Sequence, residues 1–124
     1  ITIPDSVITI DEKAFAYCKS LTSASLGNKV TAIGQEAFLG CDSLISINIP
    51  NSVTTIGYLA FHWCYNLTSV YCEATTPPNL GGSYVFDNNA SGRKIYVPAE
   101  SLEAYTTAEH WSEYADALVD YNFE

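Results

Sequence analysis

Apolar residues recur along the chain with a period of 23 residues. The superposed apolar positions are Ile1, Ala24, Ile47 and Val70; Ile3, Leu26, Ile49 and Cys72; Val7, Val30 and Val53; Ile10, Ile33 and Ile56; Ala14, Ala37 and Ala60; Phe15, Phe38 and Phe61; Cys18, Cys41 and Cys64; and Leu21, Leu44 and Leu67. We call the copies that contain Phe15, Phe38 and Phe61 the first, second and third units. A unit this short cannot bury its own apolar face, so the period predicts units that stack and share one core.

Each unit predicts two extended segments joined by a short helical turn. The pattern L-x-x-I-x-I alternates as a half-buried strand does, and in-register stacking of such strands gives a parallel sheet with rungs about 4.8 Å apart. Pro4, Gly27 and Pro50 end this strand, and V-x-x-I forms a second extended segment on the opposite side. The pattern A-F-x-x-C-x-x-L has helical spacing, with room for only one or two turns.

A left-handed backbone conformation is predicted directly after the second extended segment. Gly34 and Gly57 hold this position in the second and third units, and Asp11 holds it in the first. Glycine adopts a positive φ without steric cost, and aspartate tolerates it better than most residues. We therefore expect a positive φ at all three residues.

The repeated pattern resembles the BspA-like class of leucine-rich repeats. Residues 33–53 match I-G-x-x-A-F-x-x-C-x-x-L-x-x-I-x-I-P-x-S-V almost letter for letter, and residues 1–72 contain about three copies. The departures are Asp11, Ala24 and Gly27-Asn28-Lys29, each confined to one unit. The resemblance implies a mainly β, right-handed solenoid of parallel strands. It also implies a secreted or cell-surface protein, since many members lie on bacterial surfaces and some are adhesins.

We expect one domain over residues 1–124. It comprises three 23-residue repeats in residues 1–72, an altered fourth repeat with a loop in residues 73–98, and an acidic capping helix in residues 99–124. The period is lost after Cys72, and the I-x-I-P signature returns at Ile95, two residues late. A repeat protein needs a terminal unit with a polar outer surface, which an acidic helix with one apolar side supplies.

The capping helix is predicted from side-chain type and spacing. Ser101 is a candidate N-cap, with acidic residues in the first turn. We expect a break near His110, which we place on the surface. The apolar side comprises Leu102, Tyr105 and Ala108 before the break and Trp111, Tyr114, Ala115 and Leu118 after it.

The charge balance narrows the range of partners. Fourteen acidic residues against five basic ones give a net charge of −9. Such a surface repels phosphate, which argues against nucleic acid and anionic membranes. No apolar run approaches the roughly 18 residues of a membrane-spanning helix, so we expect no membrane insertion by this segment. The sequence contains no methionine and no signal peptide, and we expect it to be a processed or trimmed piece.

Half of the acidic residues lie near the C-terminal end of the chain, where there is no lysine or arginine. They are Glu100, Glu103, Glu109, Glu113, Asp116, Asp120 and Glu124.

The repeated cysteines are predicted to fill space in the core. A free cysteine packs as a small hydrophobe. Side chains in register lie about 4.8 Å apart, whereas the Cβ atoms of a disulfide lie about 3.8 Å apart, and a linear row does not converge on a zinc ion. We expect no metal and no cofactor. The sequence His62-Trp63-Cys64 invites a Cys–His nucleophile, but the period turns Cys64 inward, so we do not expect an enzyme.

Residues 87–92 match the first half of a calcium-binding loop. The glutamate expected at the twelfth position is absent, because Pro98 stands there. A polar turn accounts better for the segment, although the sequence leaves calcium binding open.

The residues between the buried strand positions form two exposed rows. The first row is Thr2, Ser25, Asn48, Tyr71 and Tyr96, and the second is Ser23, Ser46, Ser69 and Lys94. Solenoids bind partners on such surfaces, and tyrosine offers large contact area with little rotamer entropy to lose. We therefore predict partner binding through Ser23, Ser25, Ser46, Asn48, Ser69, Tyr71, Lys94 and Tyr96. The alternative is that these residues only make the strands soluble.

The sequence thus favours a non-enzymatic adhesion or binding module that contacts a protein, such as a host extracellular-matrix or surface protein, or a glycan. The alternatives are a structural spacer in a larger surface protein and a carbohydrate-binding module. The ligand and the oligomeric state stay open at this point. Function rests here on the family resemblance, because one fold hosts many tasks.

Overall fold

The structure, a computed structural model that describes residues 1–124, contains two parallel sheets whose short strands are joined by turns. The strands are β1 (Thr9–Ile10), β2 (Ser23–Ser25), β3 (Ala32–Ile33), β4 (Ser46–Ile49), β5 (Thr55–Ile56), β6 (Ser69–Cys72), β7 (Asn79–Leu80), β8 (Lys94–Pro98) and β9 (Leu118–Tyr121). The helical elements are α1 (Leu102–Thr107) and the 3-10 helices Ala99–Ser101 and Trp111–Ala117. The chain therefore has a mainly β repeat fold.

The strands stack as the period predicts. One sheet has the order β1-β3-β5-β7 and the other β2-β4-β6-β8-β9, and every neighbouring pair is parallel. Ser23 lies opposite Ser46, and Ser46 lies opposite Ser69, which is the 23-residue shift of the sequence. Ser69 lies opposite Lys94, 25 residues later. The unit that leads to β8 is therefore two residues longer than the 23-residue period.

A row of stacked phenylalanine rings runs through the core. The centroids of Phe15 and Phe38, and of Phe38 and Phe61, lie 5.2 Å apart, with nearly parallel planes. Phe86 extends the row at 5.4 Å from Phe61 and thereby defines a fourth unit. Phe38, Phe61 and Phe86 are fully buried in one apolar cluster, whereas Phe15 is half-buried. The shared core predicted from the period is confirmed.

The A-F-x-x-C segments are successive tight turns, so the predicted helical turn is wrong. In the second unit the amides of Ala37 and Cys41 donate three residues back, at 3.2 and 3.3 Å. Glu36 and Gly40 have positive φ values of 57° and 69°. The amides of Glu36, Phe38 and Gly40 donate to carbonyl oxygens of the third unit at 2.8–2.9 Å. A helix would use these amides internally, and the hydrogen bonds between units would be lost.

Gly34 and Gly57 are needed for close approach between units, not for a left-handed backbone. Neither residue has a positive φ, and neither does Asp11, so that prediction is wrong. A Cβ atom on Gly34 would lie 2.7 Å from the backbone nitrogen of Glu12, and one on Gly57 would meet that of Gln35.

The segment after β8 is only partly helical, which corrects the predicted capping helix. The α-helix α1 has six residues, and His110, with φ of 66°, marks the predicted break. The 3-10 helix Trp111–Ala117 follows, and β9 then pairs in parallel with β8, with Leu118 opposite Ile95. The free edge of β8 offers unpaired backbone groups, and β9 satisfies them better than a continued helix would.

The apolar side chains of this segment cover the end of the phenylalanine row. Trp111 and Tyr114 are buried, each with its ring centroid 5.6 Å from that of Phe86. Tyr105 is also buried, and its hydroxyl donates to the Ala74 carbonyl at 2.6 Å.

Ser101 precedes α1, as predicted, but its side chain makes no capping hydrogen bond. Its hydroxyl donates instead to the Thr75 carbonyl at 2.7 Å, so it fastens the segment to the fourth unit. The N-cap role predicted for this side chain is therefore wrong.

We expect Phe38→Ala to lower the free energy of unfolding by about 3–5 kcal/mol, because it leaves a cavity between two stacked rings. Urea unfolding followed by circular dichroism measures the loss. Phe15→Ala is the matched control, since Phe15 has a ring neighbour on one side only and is half-buried. An equal loss in the two variants would contradict the stacked core.

Candidate functional site on the strand face

The residues predicted for partner binding lie in two parallel rows on the five-stranded sheet. Ser25, Asn48, Tyr71 and Tyr96 are successive neighbours in the first row, and Thr2 bridges to Ser25. Ser23, Ser46, Ser69 and Lys94 form the second row. All eight predicted side chains are half-buried or exposed, so the structure brings them together on one accessible surface. We call this surface the strand face.

Three aromatic rings gather at the C-terminal end of the strand face. The rings of Tyr71 and Tyr96 stack with centroids 4.8 Å apart and planes within 12° of each other. Tyr121 of β9 packs edge-on against both, at 5.5 and 5.4 Å. We call Tyr71, Tyr96 and Tyr121 the tyrosine cluster. Aromatic pairs in these geometries add about 0.5–1.5 kcal/mol each to area burial, so the cluster is held in place.

Tyr121 is the residue of the tyrosine cluster that the sequence does not predict. The predicted helix of residues 99–124 includes it, whereas in the structure β9 places it beside β8. The signal that indicates a strand is the short run Leu118–Tyr121, which contains β-branched Val119 and ends in an aromatic residue. Four residues are too few for a periodic pattern to distinguish a strand from a helix end.

The remainder of the first row is small and polar. Ser25 is exposed, and the Asn48 side-chain amide donates to a Glu73 carboxylate oxygen at 2.8 Å. Because the strand order is β4-β6-β8, Tyr96 covers one face of the Tyr71 ring and the smaller Asn48 lies on the other side. This part of the strand face is therefore a row of small side chains, which we call the trough, and it ends at the larger Tyr71 ring.

An acidic groove adjoins the tyrosine cluster. It has a volume of about 560 Å³, and its lining residues include three glutamates and two aromatic residues: Glu73, Glu100, Glu124, Tyr121 and Phe123. Phe123 packs edge-on against Tyr121 at 4.8 Å. No lysine or arginine lines the groove. Its electrostatic potential is therefore negative.

The repeated cysteines pack in the core as predicted, and they also donate hydrogen bonds. The Cys41 thiol donates to the Phe15 carbonyl, and the Cys64 thiol donates to the Phe38 carbonyl, both at 3.1 Å. In the fourth unit Asn89 takes this position, and its amide donates to the Phe61 carbonyl at 2.9 Å. The position thus needs a small donor as well as a small volume, a property that the apolar pattern alone did not indicate.

Burial makes the core thiols poor nucleophiles. It raises the pKa of Cys41 to about 11 and that of Cys64 to about 12. Burial likewise raises the pKa of Cys72 to about 11, and its sulfur lies 3.3 Å from the Tyr105 hydroxyl. Since the thiolate is the reactive form, these side chains stay protonated and unreactive near neutral pH.

The two histidines do not assemble a catalytic site with a cysteine. His62 packs against Trp63 and Tyr84, with ring centroids 5.0 and 6.4 Å away, while Cys64 donates to a backbone carbonyl instead. His110 lies at the surface, as predicted, with 26% of its side chain exposed. Its Nδ1 atom lies 3.2 Å from a Glu113 carboxylate oxygen.

The loop of residues 87–92 uses its side chains within the protein. An Asp87 carboxylate oxygen accepts from the Tyr114 hydroxyl at 2.8 Å. The Asn89 side-chain oxygen accepts from the Arg93 guanidinium at 3.2 Å. No group of three or more His, Cys, Asp or Glu side chains is placed to hold a metal ion. The geometry thus favours the polar turn over calcium binding.

We expect the four cysteines to differ in reactivity. In the native protein at pH 8, iodoacetamide should modify half-buried Cys18 first, while buried Cys41, Cys64 and Cys72 react only after unfolding in urea. Peptide mass spectrometry with and without urea measures the difference. Rapid native modification of Cys64 would contradict the packing described here.

None of the helices has the length and apolar character needed to cross a membrane.

A comparison with known protein families extends these observations. Residues 1–109 match the BspA type leucine rich repeat region (6 copies). No curated protein matches the chain. The family suggests a repeat-based protein-interaction or surface module, and such families are generally non-enzymatic. The family is typically associated with bacterial surfaces. Because the match spans most of its length, the chain belongs to the family of BspA-type leucine-rich repeat proteins.

Proposed function

We propose that the protein is a non-enzymatic binding module that contacts a protein partner through its strand face. The observation that carries the proposal is the tyrosine cluster, in which three rings pack together at one end of an accessible row. The hydroxyls of buried Tyr105 and Tyr114 bond within the protein, whereas those of Tyr71, Tyr96 and Tyr121 do not. These three hydroxyls are therefore available to a partner.

The architecture suits such a role. We propose a right-handed solenoid with three 23-residue repeats in residues 1–72 and a lengthened fourth repeat in residues 73–98. In this proposal residues 99–124 form a cap of short helices and β9. The strand register and the burial of Trp111 and Tyr114 against Phe86 support it. A stack of this kind presents its rows as one rigid surface.

We also propose that the protein lies on the cell surface or is secreted, because its family is typically associated with bacterial surfaces. The partner would then be a host extracellular-matrix or surface protein, and the role would be adhesion. The trough of small side chains next to Tyr71 supports contact with an extended segment, because such a segment can lie along a shallow row.

A glycan is the second candidate ligand. It is favoured by exposed rings on the side of the stack that the A-F-x-x-C turns form, which we call the turn side. Trp63 and Tyr84 flank His62, and about 41% of Trp63 and 51% of Tyr84 is exposed. Exposed aromatic patches mark interaction sites. Binding on a glycan array that is lost in Trp63→Ala would support this candidate over the strand face.

We expect the double variant Tyr71→Ala/Tyr96→Ala to bind its partner at least about tenfold more weakly, since buried tyrosines commonly contribute more than 1.4 kcal/mol to interfaces. The immobilised protein is incubated with purified host extracellular proteins, and the affinity for each captured protein is then measured. Tyr17→Ala/Tyr65→Ala is the matched control, because it removes two exposed tyrosines elsewhere.

Thermal unfolding of both double variants verifies that they remain folded. Unchanged affinity in the folded Tyr71→Ala/Tyr96→Ala protein would disprove binding through the strand face, whereas a loss confined to the control would move the site to the turn side.

A further inference from the structure

We propose that the strand face recognises an extended protein segment that places an arginine or lysine side chain in the acidic groove beside the tyrosine cluster. This inference rests on the proposed function and names the chemistry of the partner. It commits to a cationic side chain of a protein, so a neutral segment and a glycan are outcomes that would contradict it.

The first argument is the position of the groove relative to the trough. Glu73 lines the groove and also accepts the hydrogen bond from Asn48, whose side chain belongs to the trough. Tyr121 belongs to the tyrosine cluster and lines the groove as well. The trough and the groove are therefore continuous through Glu73 and Tyr121. A segment lying in the trough can reach the groove with one long side chain.

The second argument is charge complementarity. Glu73, Glu100 and Glu124 are among the residues that line the groove, and no basic residue lines it. Lys94 is the one basic residue on the strand face, and it precedes Tyr96 by two residues, whereas Glu73 follows Tyr71 by two. Lys94 and Glu73 therefore lie on opposite sides of the stacked rings. A partner cation is attracted to the Glu73 side and is repelled from the other.

The third argument is the aromatic character of the same groove. The face of an aromatic ring carries negative potential and attracts ammonium and guanidinium groups. Tyr121 and Phe123 supply two such rings beside the carboxylates. A guanidinium group also stacks on aromatic rings and forms bidentate hydrogen bonds with carboxylates. Arginine therefore fits this combination better than lysine does. A metal ion would instead need converging oxygen ligands, and no such cluster exists.

The test uses a fluorescein-labelled hexa-arginine peptide as the cationic probe and a hexa-citrulline peptide as its neutral counterpart. Fluorescence anisotropy at low ionic strength measures binding to the wild type and to Glu100→Gln/Glu124→Gln. The control is Glu103→Gln/Glu109→Gln, which removes the same two charges from exposed residues outside the groove. All four side chains are exposed, so both variants should fold like the wild type.

We expect the wild type to bind the arginine peptide and not the citrulline peptide. Glu100→Gln/Glu124→Gln should bind about fivefold more weakly, as the loss of two exposed charge pairs implies, while the control stays close to the wild type. An upfield shift of the arginine side-chain proton signals on binding, absent in Tyr121→Leu, would place the cation against the ring. Equal weakening in the two charge variants would show attraction by net charge alone and would overturn the proposal.

The partner captured on the strand face separates the two proposals. If Tyr71→Ala/Tyr96→Ala abolishes its binding and Glu100→Gln/Glu124→Gln leaves it unchanged, the cationic side chain is disproved and the proposed function stands. If neither pair of substitutions weakens it, both proposals fail. If both pairs weaken it and the control does not, both are supported.

Discussion

The distance between successive units is the constraint on which the rest of the structure depends. Hydrogen bonds join each unit to the next on both sheets and through the turns between them, so the backbones must approach closely everywhere. Gly34 and Gly57 stand where a Cβ atom would meet the preceding unit. Flat rings suit the same spacing, because strands lie about 4.8 Å apart in a sheet and stacked rings need little more. The Phe15–Phe38 distance of 5.2 Å shows this fit.

That constraint also determines what the strand face can be. Stacking brings residues 23 positions apart into one row. Neighbouring side chains on the strand face therefore come from successive units and not from one strand. The first row is small and polar at Ser25 and becomes aromatic at Tyr71 and Tyr96. Rings held this way have already lost most of their rotamer freedom, which reduces the entropy cost of binding a partner. A surface built from such rows is rigid in the free protein.

The period made the stacked core and both exposed rows predictable, since one repeat length determines the register of every strand from β1 to β6. Contacts between units were not predictable from a local pattern. The turn around Phe38 resembles a helix in spacing, yet its amides serve the next unit. Phe86 lies 25 residues after Phe61, and Asn89 replaces a cysteine, so a strict period misses both. In each case a hydrogen bond or ring contact across units outweighs local propensity.

The segment after β8 contributes both to the core of the stack and to the strand face. Its buried rings, Trp111 and Tyr114, cover Phe86, which would otherwise expose the end of the core. The same segment then continues as β9 and brings Tyr121 against Tyr71 and Tyr96. The end of the stack needs a hydrogen-bonding partner for its edge strand and a cover for its apolar core. One stretch of chain provides both. The aromatic part of the strand face therefore lies beside β9, because the segment that covers Phe86 also supplies the third ring.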